Sequence, residues 1–309
     1  MHTGGAIVNE VKTVELFAGI GGFRLGLERA NQTSKQECFN VTSFVRCNGN
    51  SADINNRSGD NAFRIVWANE WDKYAAQIYR KNFGEKELYE GDITKVDADN
   101  IPDCDLIVGG FPCQSHSLAG KRKGFSDERG KVFHEIIRIA QAKRPKMLFL
   151  ENVKGLLSSE QGKAFGIVLE ELGNIGYWCE WQVINSKHHG VPQNRERVFI
   201  IGHRRGTSSR QIFPIIEGNG IFKTQSSGEC REVKRTRADG NHMIREYEGQ
   251  AQQQRIRRLT PVECERLQGF PDGWTAGISD TQRYKTLGNA VTVNVIEFLG
   301  ERILEAFVG

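Results

Sequence analysis

Asp105-Leu106-Ile107-Val108-Gly109-Gly110-Phe111-Pro112-Cys113-Gln114 is the stretch whose reading decides the fold. Its first half is a short continuous apolar run, the pattern of a strand buried on both faces of a parallel sheet. Its second half puts a cysteine just past the carboxyl end of that strand, where open α/β sheets hold ligands and catalytic groups. Pro112 fixes its own φ and pushes Phe111 toward an extended conformation, which stiffens the exit. Gly109 and Gly110 leave room for something to approach the backbone. A lone cysteine is by default a small buried hydrophobe. The surroundings of Cys113 argue otherwise.

Outward from this strand the chain alternates. Strand patterns fall at residues 12–17, 63–68, 105–109, 146–150, 178–185 and 197–201, with a further short stretch at 88–90. Amphipathic helical patterns lie between them at 22–29, 71–82, 130–143 and 161–175. Strands alternating with helices predict a doubly wound, mostly parallel sheet. Residues 31–61 interrupt the alternation with polar sequence and predict a surface insertion, with a hairpin through 38–46. After Gly202 the alternation stops, and residues 203–280 are expected to form a smaller second domain. Residues 1–202 and 281–309 would then form the larger one. A patterned stretch resumes at 258–274, and 287–307 reads as a terminal helix.

Bulk composition narrows the class. A chain of 309 residues with 38% hydrophobic and 26% charged residues fits a soluble globular protein. No apolar run approaches the roughly 20 residues that cross a bilayer, and the first ten residues lack the pattern of a secretory signal. Seven cysteines without a Cys-x-x-Cys pair predict neither a disulfide framework nor a zinc site, and so a reducing cytoplasm. His188 and His189 have no acid or cysteine at ligand spacing and read as structural, so no metal is expected. The net charge is only +4, yet residues 203–258 carry twelve Arg or Lys against six Asp or Glu. The remainder is therefore net acidic. A basic segment on an acidic body suits a protein that grips phosphates with one lobe; a solvated loop region is the plainer alternative.

The cofactor end is read from three strand ends. Val14-Glu15-Leu16-Phe17-Ala18-Gly19-Ile20-Gly21-Gly22-Phe23 is a strand, a glycine turn and a helix start. It approaches a dinucleotide fingerprint but has Arg24 where Gly or Ala is required, which disfavours a nicotinamide. Asn69-Glu70-Trp71 and Gly91-Asp92-Ile93 close the next two strands. Glu70 suits a ribose diol, Asp92 an adenine amino group, and Phe17 with Trp71 could sandwich the ring. Each acid taken singly reads as a helix N-cap. Nothing offers a Walker lysine, so a triphosphate is not expected.

With these residues in order, the chain resembles the bacterial DNA (cytosine-5) methyltransferases over nearly its whole length. Leu16 to Gly22 resembles the first family motif, Glu70-Trp71 and Asp92-Ile93 the second and third, and Gly110-Phe111-Pro112-Cys113-Gln114-Ser115 the catalytic-cysteine motif. Glu151-Asn152-Val153, Gln193-x-Arg195-x-Arg197 and the run from Arg258-Leu259-Thr260-Pro261 to Gly269-Phe270-Pro271 follow, and Gly288-Asn289-Ala290-Val291 resembles the last motif. Glu15 and His116 depart from the usual residues. The resemblance implies a Rossmann-like class I fold that uses S-adenosylmethionine, with a target-recognition domain at 203–280. It implies a cofactor site of Phe17, Ala18, Gly19, Gly21, Gly22, Glu70, Trp71, Asp92, Ile93, Pro112, Asn289 and Ala290. The implied partner is double-stranded DNA, met by a monomer that belongs to a restriction-modification pair with an endonuclease.

The chemistry fits those residue types. Cytosine carbon 5 is a poor nucleophile, and a thiolate adding to carbon 6 would activate it. Cys113 is that thiolate by resemblance, and Arg195 and Arg197 are candidates to stabilise it electrostatically. Glu151 could share a proton with cytosine N3, Arg197 could contact O2, and Arg195 would support the site. A stacked base is out of reach, so the cytosine must flip out of the duplex. Residues 115–131, with Lys121, Arg122, Lys123, Arg129 and Lys131, could meet phosphates, or be a plain exposed loop. Base-reading candidates in the basic segment are Arg231, Lys234, Arg235, Arg237, Asn241, His242 and Arg245. Rival readings are an RNA-directed cytosine methyltransferase, disfavoured by the missing Cys-Phe-Thr and Thr-Cys motifs, and a DNA-binding regulator without activity, disfavoured by the complete set above.

Overall fold

The computed structural model describes residues 10–45, 62–111, 130–207, 209–215, 234–235, 242–248 and 253–308. Seven strands, β1 (Glu10–Leu16), β2 (Ala62–Glu70), β3 (Leu88–Glu90), β4 (Leu106–Gly110), β5 (Met147–Val153), β6 (Tyr177–Asn185) and β7 (Glu196–Arg204), share one sheet. Their order across it is β3-β2-β1-β4-β5-β7-β6. All neighbours are parallel except at β7, which runs antiparallel to both β5 and β6. The expected mostly parallel, doubly wound sheet is what forms. Strand β1 lies between β2 and β4, so the strand order reverses there and a crevice opens at their carboxyl ends.

Helices cover both faces: α1 (Gly22–Val45), α2 (Lys73–Phe83), α3 (Gly130–Lys143), α4 (Lys163–Asn174), α5 (Pro261–Leu267), α6 (Asp280–Asn289) and α7 (Val293–Val308). Because side chains alternate along a strand, β4 feeds two cores at once. Leu106 and Val108 pack with Phe23, Leu27 and Ile296 of α1 and α7. Ile107 packs with Phe133, Ile136 and Val168 of α3 and α4. Burying each such side chain stabilises the fold by about 1.5–3 kcal/mol. Helix α1 meets α7 closely: a Cβ on Gly26 would stand 2.6 Å from Ile296, so only glycine permits the approach.

Several local expectations are corrected. The hairpin predicted through residues 38–46 does not form, since α1 continues to Val45. No Gly or Pro stands between Leu27 and Val45 to stop it, and the poor helix formers Asn, Thr and Ser slow a helix without ending it. The rest of the expected insertion, 46–61, lies outside the described residues. Helix α2 begins after Asp72, whose carboxylate accepts from the amides of Tyr74 and Ala75 and caps the helix. The terminal run 287–307 is two helices, because Ala290 is extended between α6 and α7.

Part of the segment expected to form the smaller domain packs on the large sheet. Ile212 and Phe213 join the α1/α7 core. Leu259, Leu267, Phe270 and Trp274 form a third cluster with Ile20 and with Ala75 and Ile78 of α2. Between these two returns, β8 (Lys234–Arg235), β9 (His242–Glu248) and β10 (Gln253–Arg258) pair as an antiparallel sheet in the order β10-β9-β8. Among the described residues no helix is long and apolar enough to cross a membrane.

Candidate active site

The glycine turn after β1 is bent by backbone geometry that few residues adopt. Phe17 and Gly19 both have φ of 56° and Gly21 has 81°; for Phe17 this left-handed conformation is a strained one. Neighbouring strand ends hold the turn in place. The Ala18 amide donates to the Asn69 carbonyl at 2.8 Å, and the Gly19 amide donates to Glu70 Oε2 at 2.7 Å. Glu70 Oε1 accepts from the amides of Trp71 and Asp72 at 2.9 and 2.7 Å. Burial pushes the Glu70 carboxyl above its ordinary range, against the pull of those three amides. A Cβ on Gly19 would meet nothing nearer than the Phe17 carbonyl at 4.0 Å, so the turn opens onto free space. Trp71 stands beside it, 78% exposed.

One strand further out, Asp92 caps a 3-10 turn at Ile93–Lys95. Its carboxylate accepts from the Thr94 amide and hydroxyl, which hold its pKa below the usual carboxylate value. Asn69 reaches across from β2 to donate to the carbonyls of Tyr89 and Gly91 at 3.2 and 2.9 Å. Ile93 is buried in the same core as Phe111 and Phe133. Gly22 faces away from the opening, since a Cβ there would press on Val291.

On the other side of β1 stand the groups expected to do chemistry. Gly110 of β4 lies in register with Glu151 of β5, and a Cβ on Gly110 would sit 3.1 Å from Glu151 Oε2. Arg197, at the start of β7, places its Nε 3.0 Å from Glu151 Oε1, with both side chains largely buried. Burial raises the Glu151 pKa, while Arg197 and Arg195 pull it down; the rise prevails. Arg195 is 5% exposed and donates through Nη2 to the carbonyls of Gly288 and Ala290 at 3.2 and 2.7 Å. Asn289 is exposed between them.

Six consecutive strand positions therefore contribute to one edge of the sheet: Asp92 after β3, Glu70 on β2, the glycine turn after β1, Phe111 after β4, Glu151 on β5 and Arg197 on β7. At about 4.8 Å per strand this edge spans on the order of 24 Å. Pro112 and Cys113, with His116, Lys121, Arg122, Lys123 and Arg129, lie outside the described residues, and so do the side chains of the base-reading candidates.

The sequence reading missed several residues that shape this edge. Asn152 donates to the Phe111 carbonyl at 2.9 Å and so pins the backbone one residue before Pro112. The Tyr79 hydroxyl donates to the buried Glu15 at 3.0 Å. Trp274 Nε1 donates to the Ile20 carbonyl at 3.0 Å, across 254 positions of chain. Asn152 was visible within its motif. Nothing local to Tyr79 or Trp274 announces their contacts. His189 is buried and His188 exposed, and among the described residues no cluster of three or more His, Cys, Asp or Glu could hold a metal.

Comparison with known proteins shows the family. The model of the C-5 cytosine-specific DNA methylase family matches residues 11–226 and 208–305. The Type II methyltransferase M.SsoII of Shigella sonnei is 33% identical over 95% of this chain and 80% of its own length. The Type II methyltransferase M.HhaI of Haemophilus parahaemolyticus is 31% identical over 95% of this chain and 94% of its own. Among solved structures, an Entamoeba histolytica methyltransferase, EhMeth, superposes with a TM-score of 0.66 at 20% identity, covering 96% of this chain and 98% of that one. At that identity the last likeness speaks for the fold alone.

Proposed function

The chain belongs to the C-5 cytosine-specific DNA methylases, and from that premise we propose how its own residues divide the work. The enzyme transfers a methyl group from S-adenosylmethionine to carbon 5 of cytosine in DNA. When bound, the cofactor supplies an electrophilic methyl group. The residues present suit it: a turn with open space above Gly19, a buried carboxylate at Glu70 with lone pairs left for a ribose diol, and the exposed face of Trp71 for the adenine. Asp92 accepts from the adenine amino group, Ile93 and Phe17 border the ring, and the backbone of Ala18, Gly19 and Gly21 follows the methionine portion. Asn289 and Ala290, held through the Arg195 contact with the Ala290 carbonyl, border the cofactor from the last motif, and Pro112 joins the cofactor set by family resemblance.

At the chemical end, the Cys113 thiolate adds to carbon 6 of a flipped cytosine. Glu151 shares a proton with N3, which neutralises the charge that builds on the ring. Its pKa, raised by burial, favours that task, since burial makes the carboxyl a readier holder of the shared proton. Arg197 holds Glu151 in place and contacts O2, while Arg195 ties the arginine strand to the last motif. Loss of the carbon-5 proton and expulsion of Cys113 finish the cycle. The observation that carries this reading is the Arg197–Glu151 pair standing against Gly110, two residues before Pro112.

The segment between residues 216 and 256, which contains β8, β9 and most of β10, is the proposed recognition lobe. It is narrower than 203–280 because residues 212–215 pack in the α1/α7 core of the large sheet and residues 259–278 pack against α2, α6 and Ile20 of the glycine turn. The partner is double-stranded DNA, approached by a monomer, and the Type II methyltransferases among the relatives support a pairing with a restriction endonuclease. The test is transfer of labelled methyl from S-adenosylmethionine to duplex DNA, with bisulfite sequencing to find the target. Cys113→Ser should abolish turnover and leave DNA binding largely intact; undiminished product from that variant would show the nucleophile to be misassigned.

A further inference from the structure

Helix α3 touches both ends of the site, and one residue makes the link on the adenine side. Arg138 donates through Nη2 to the carbonyls of Ile93 and Val96 at 3.2 and 2.9 Å. Ile93 opens the 3-10 turn that Asp92 caps, its carbonyl also accepting from the Val96 amide, and Val96 is the residue that ends that turn. Glu135, one turn earlier on α3, fixes the guanidinium with Oε2 at 2.8 Å from Nε. Such charge-assisted bonds are stronger than neutral ones, and two from one planar group also fix direction. Lys143 reinforces the grip, donating to the Asp99 carbonyl at 3.4 Å.

The same helix leans on the chemical end. Phe133 packs on Phe111 with ring centroids 5.1 Å apart. Phe111 is the residue whose carbonyl Asn152 holds, beside the Gly110–Glu151 pair. From Phe133 to Arg138 is about 7.5 Å along a helix, a short rigid span in a close-packed core. Displacing the turn at Ile93 would therefore displace Phe133 against Phe111.

We propose that Arg138 is a positioning residue that couples the adenine turn to the β4–β5 end of the site, so that cofactor and DNA bind synergistically. This rests on the reading that places adenine against Trp71 and Asp92. Cofactor contacts at Asp92 fix the turn, Arg138 passes that order to α3, and α3 holds Phe111 where the flipped base must meet it. Linkage makes the effect reciprocal: DNA tightens the cofactor by the same factor.

The experiment is a binding box. Duplex affinity is measured with and without S-adenosylhomocysteine, and S-adenosylhomocysteine affinity with and without duplex, using the target found by bisulfite mapping. Wild type should show a coupling factor of roughly five or more, within the usual range for linked sites. Arg138→Met should bring the factor close to one, and Arg138→Lys, a single point charge, should give an intermediate value. Glu135→Gln keeps the cation but frees its rotamer, and should also lower the factor; it serves if Arg138→Met does not fold. A merely structural Arg138 would lower the melting temperature and leave the coupling factor at its wild-type value, which would overturn the proposal. Asp92→Asn separates the premise from the inference. If it leaves S-adenosylhomocysteine affinity unchanged, the adenine placement fails and this proposal with it. If it weakens that affinity while Arg138→Met keeps full coupling, only the role of Arg138 is lost.

Discussion

Glu15→Gln should make the stability of this protein less sensitive to pH. Glu15 lies on β1 immediately before the glycine turn and is fully buried. Its carboxyl accepts from the Tyr79 hydroxyl at 3.0 Å and the Arg24 amide at 3.4 Å. Burial outweighs these contacts and pushes its pKa from 4.5 to about 8. Between those values the folded state holds a proton that the unfolded chain has released. The stability from this group is therefore complete below about pH 4.5 and lost as pH rises through about 8. Integrating the two titrations gives a loss on the order of 2–3 kcal/mol between pH 6 and pH 8.5. With an unfolding entropy of about 2.1 cal/mol/K per residue, 309 residues turn this into a shift of ~4 °C. A neutral carboxamide keeps an acceptor for Tyr79 or Arg24 and does not titrate. Calorimetric melting of both proteins should give curves that come closest below about pH 4.5 and separate steadily from pH 6 to pH 8.5, with Glu15→Gln the more stable at the alkaline end. Other titrating groups cancel in the difference. A difference that stays constant across this range would refute the buried, protonated state of Glu15.

Asn152→Ala removes the bond that fixes the Phe111 carbonyl; a lost buried hydrogen bond of about 1–2 kcal/mol should lower kcat roughly tenfold, with S-adenosylhomocysteine affinity unchanged by titration calorimetry. Glu151→Gln cannot share a proton with the ring and should lower kcat by about 10²–10⁴-fold in single-turnover methylation. Wild-type activity should also fall as pH rises through the raised Glu151 pKa, because the required proton is then lost. Duplex affinity should drop steeply with salt, since each phosphate contact releases about 0.9 counterion; a flat profile in an anisotropy titration would count against the basic segment as the docking face.

Strands were the legible part of this fold, and the reason is their composition. Runs such as Leu106-Ile107-Val108 and Leu148-Phe149-Leu150 are apolar throughout and bounded by turn residues, so each strand falls within a few residues of its expected limits. Helix α1 was misjudged because its second half is polar, and amphipathic period says little once a helix leaves the core. The break between α6 and α7 was missed because Ala290 and Val291 look helical; what holds Ala290 extended is distant, the Arg195 guanidinium on its carbonyl. The packing of Ile212 and Phe213 on the large sheet is likewise non-local. Glu180 of β6 accepts both their amides, at 2.7 and 2.9 Å. At the site, Glu70, Glu151 and Arg197 were readable because strand ends in this topology point to one edge. Tyr79, Trp274 and Arg138 were not, since their partners lie 64, 254 and 45 positions away and no local pattern encodes such pairs.

These distant pairs also explain how the framework holds together on either side of the segment between residues 216 and 256. Residues 259–308 return to brace the half of the site built before residue 203. The Thr292 hydroxyl donates to Gln268 at 2.9 Å and shares a 2.8 Å hydrogen bond with Ser186, and Gln268 donates to the Leu287 carbonyl at 3.2 Å. Buried polar networks of this kind specify one arrangement, because breaking any member leaves another unsatisfied. The chain leaves this brace and rejoins it at fixed points. At the exit, Gln182 pairs reciprocally with the Ile215 backbone at 2.7 and 2.8 Å, and Arg302 donates to the Ile212 carbonyl at 2.7 Å. At the return, Arg257 pairs with Glu263 at 2.8 Å and Arg258 stacks 3.6 Å over the Tyr284 ring. Whatever sequence lies between is anchored at both ends, by Gln182 and Arg302 on one side and by Glu263 and Tyr284 on the other. Changes there should leave the Glu151–Arg197 pair in place, so this segment and the β5–β7 end of the sheet are physically separable in this chain.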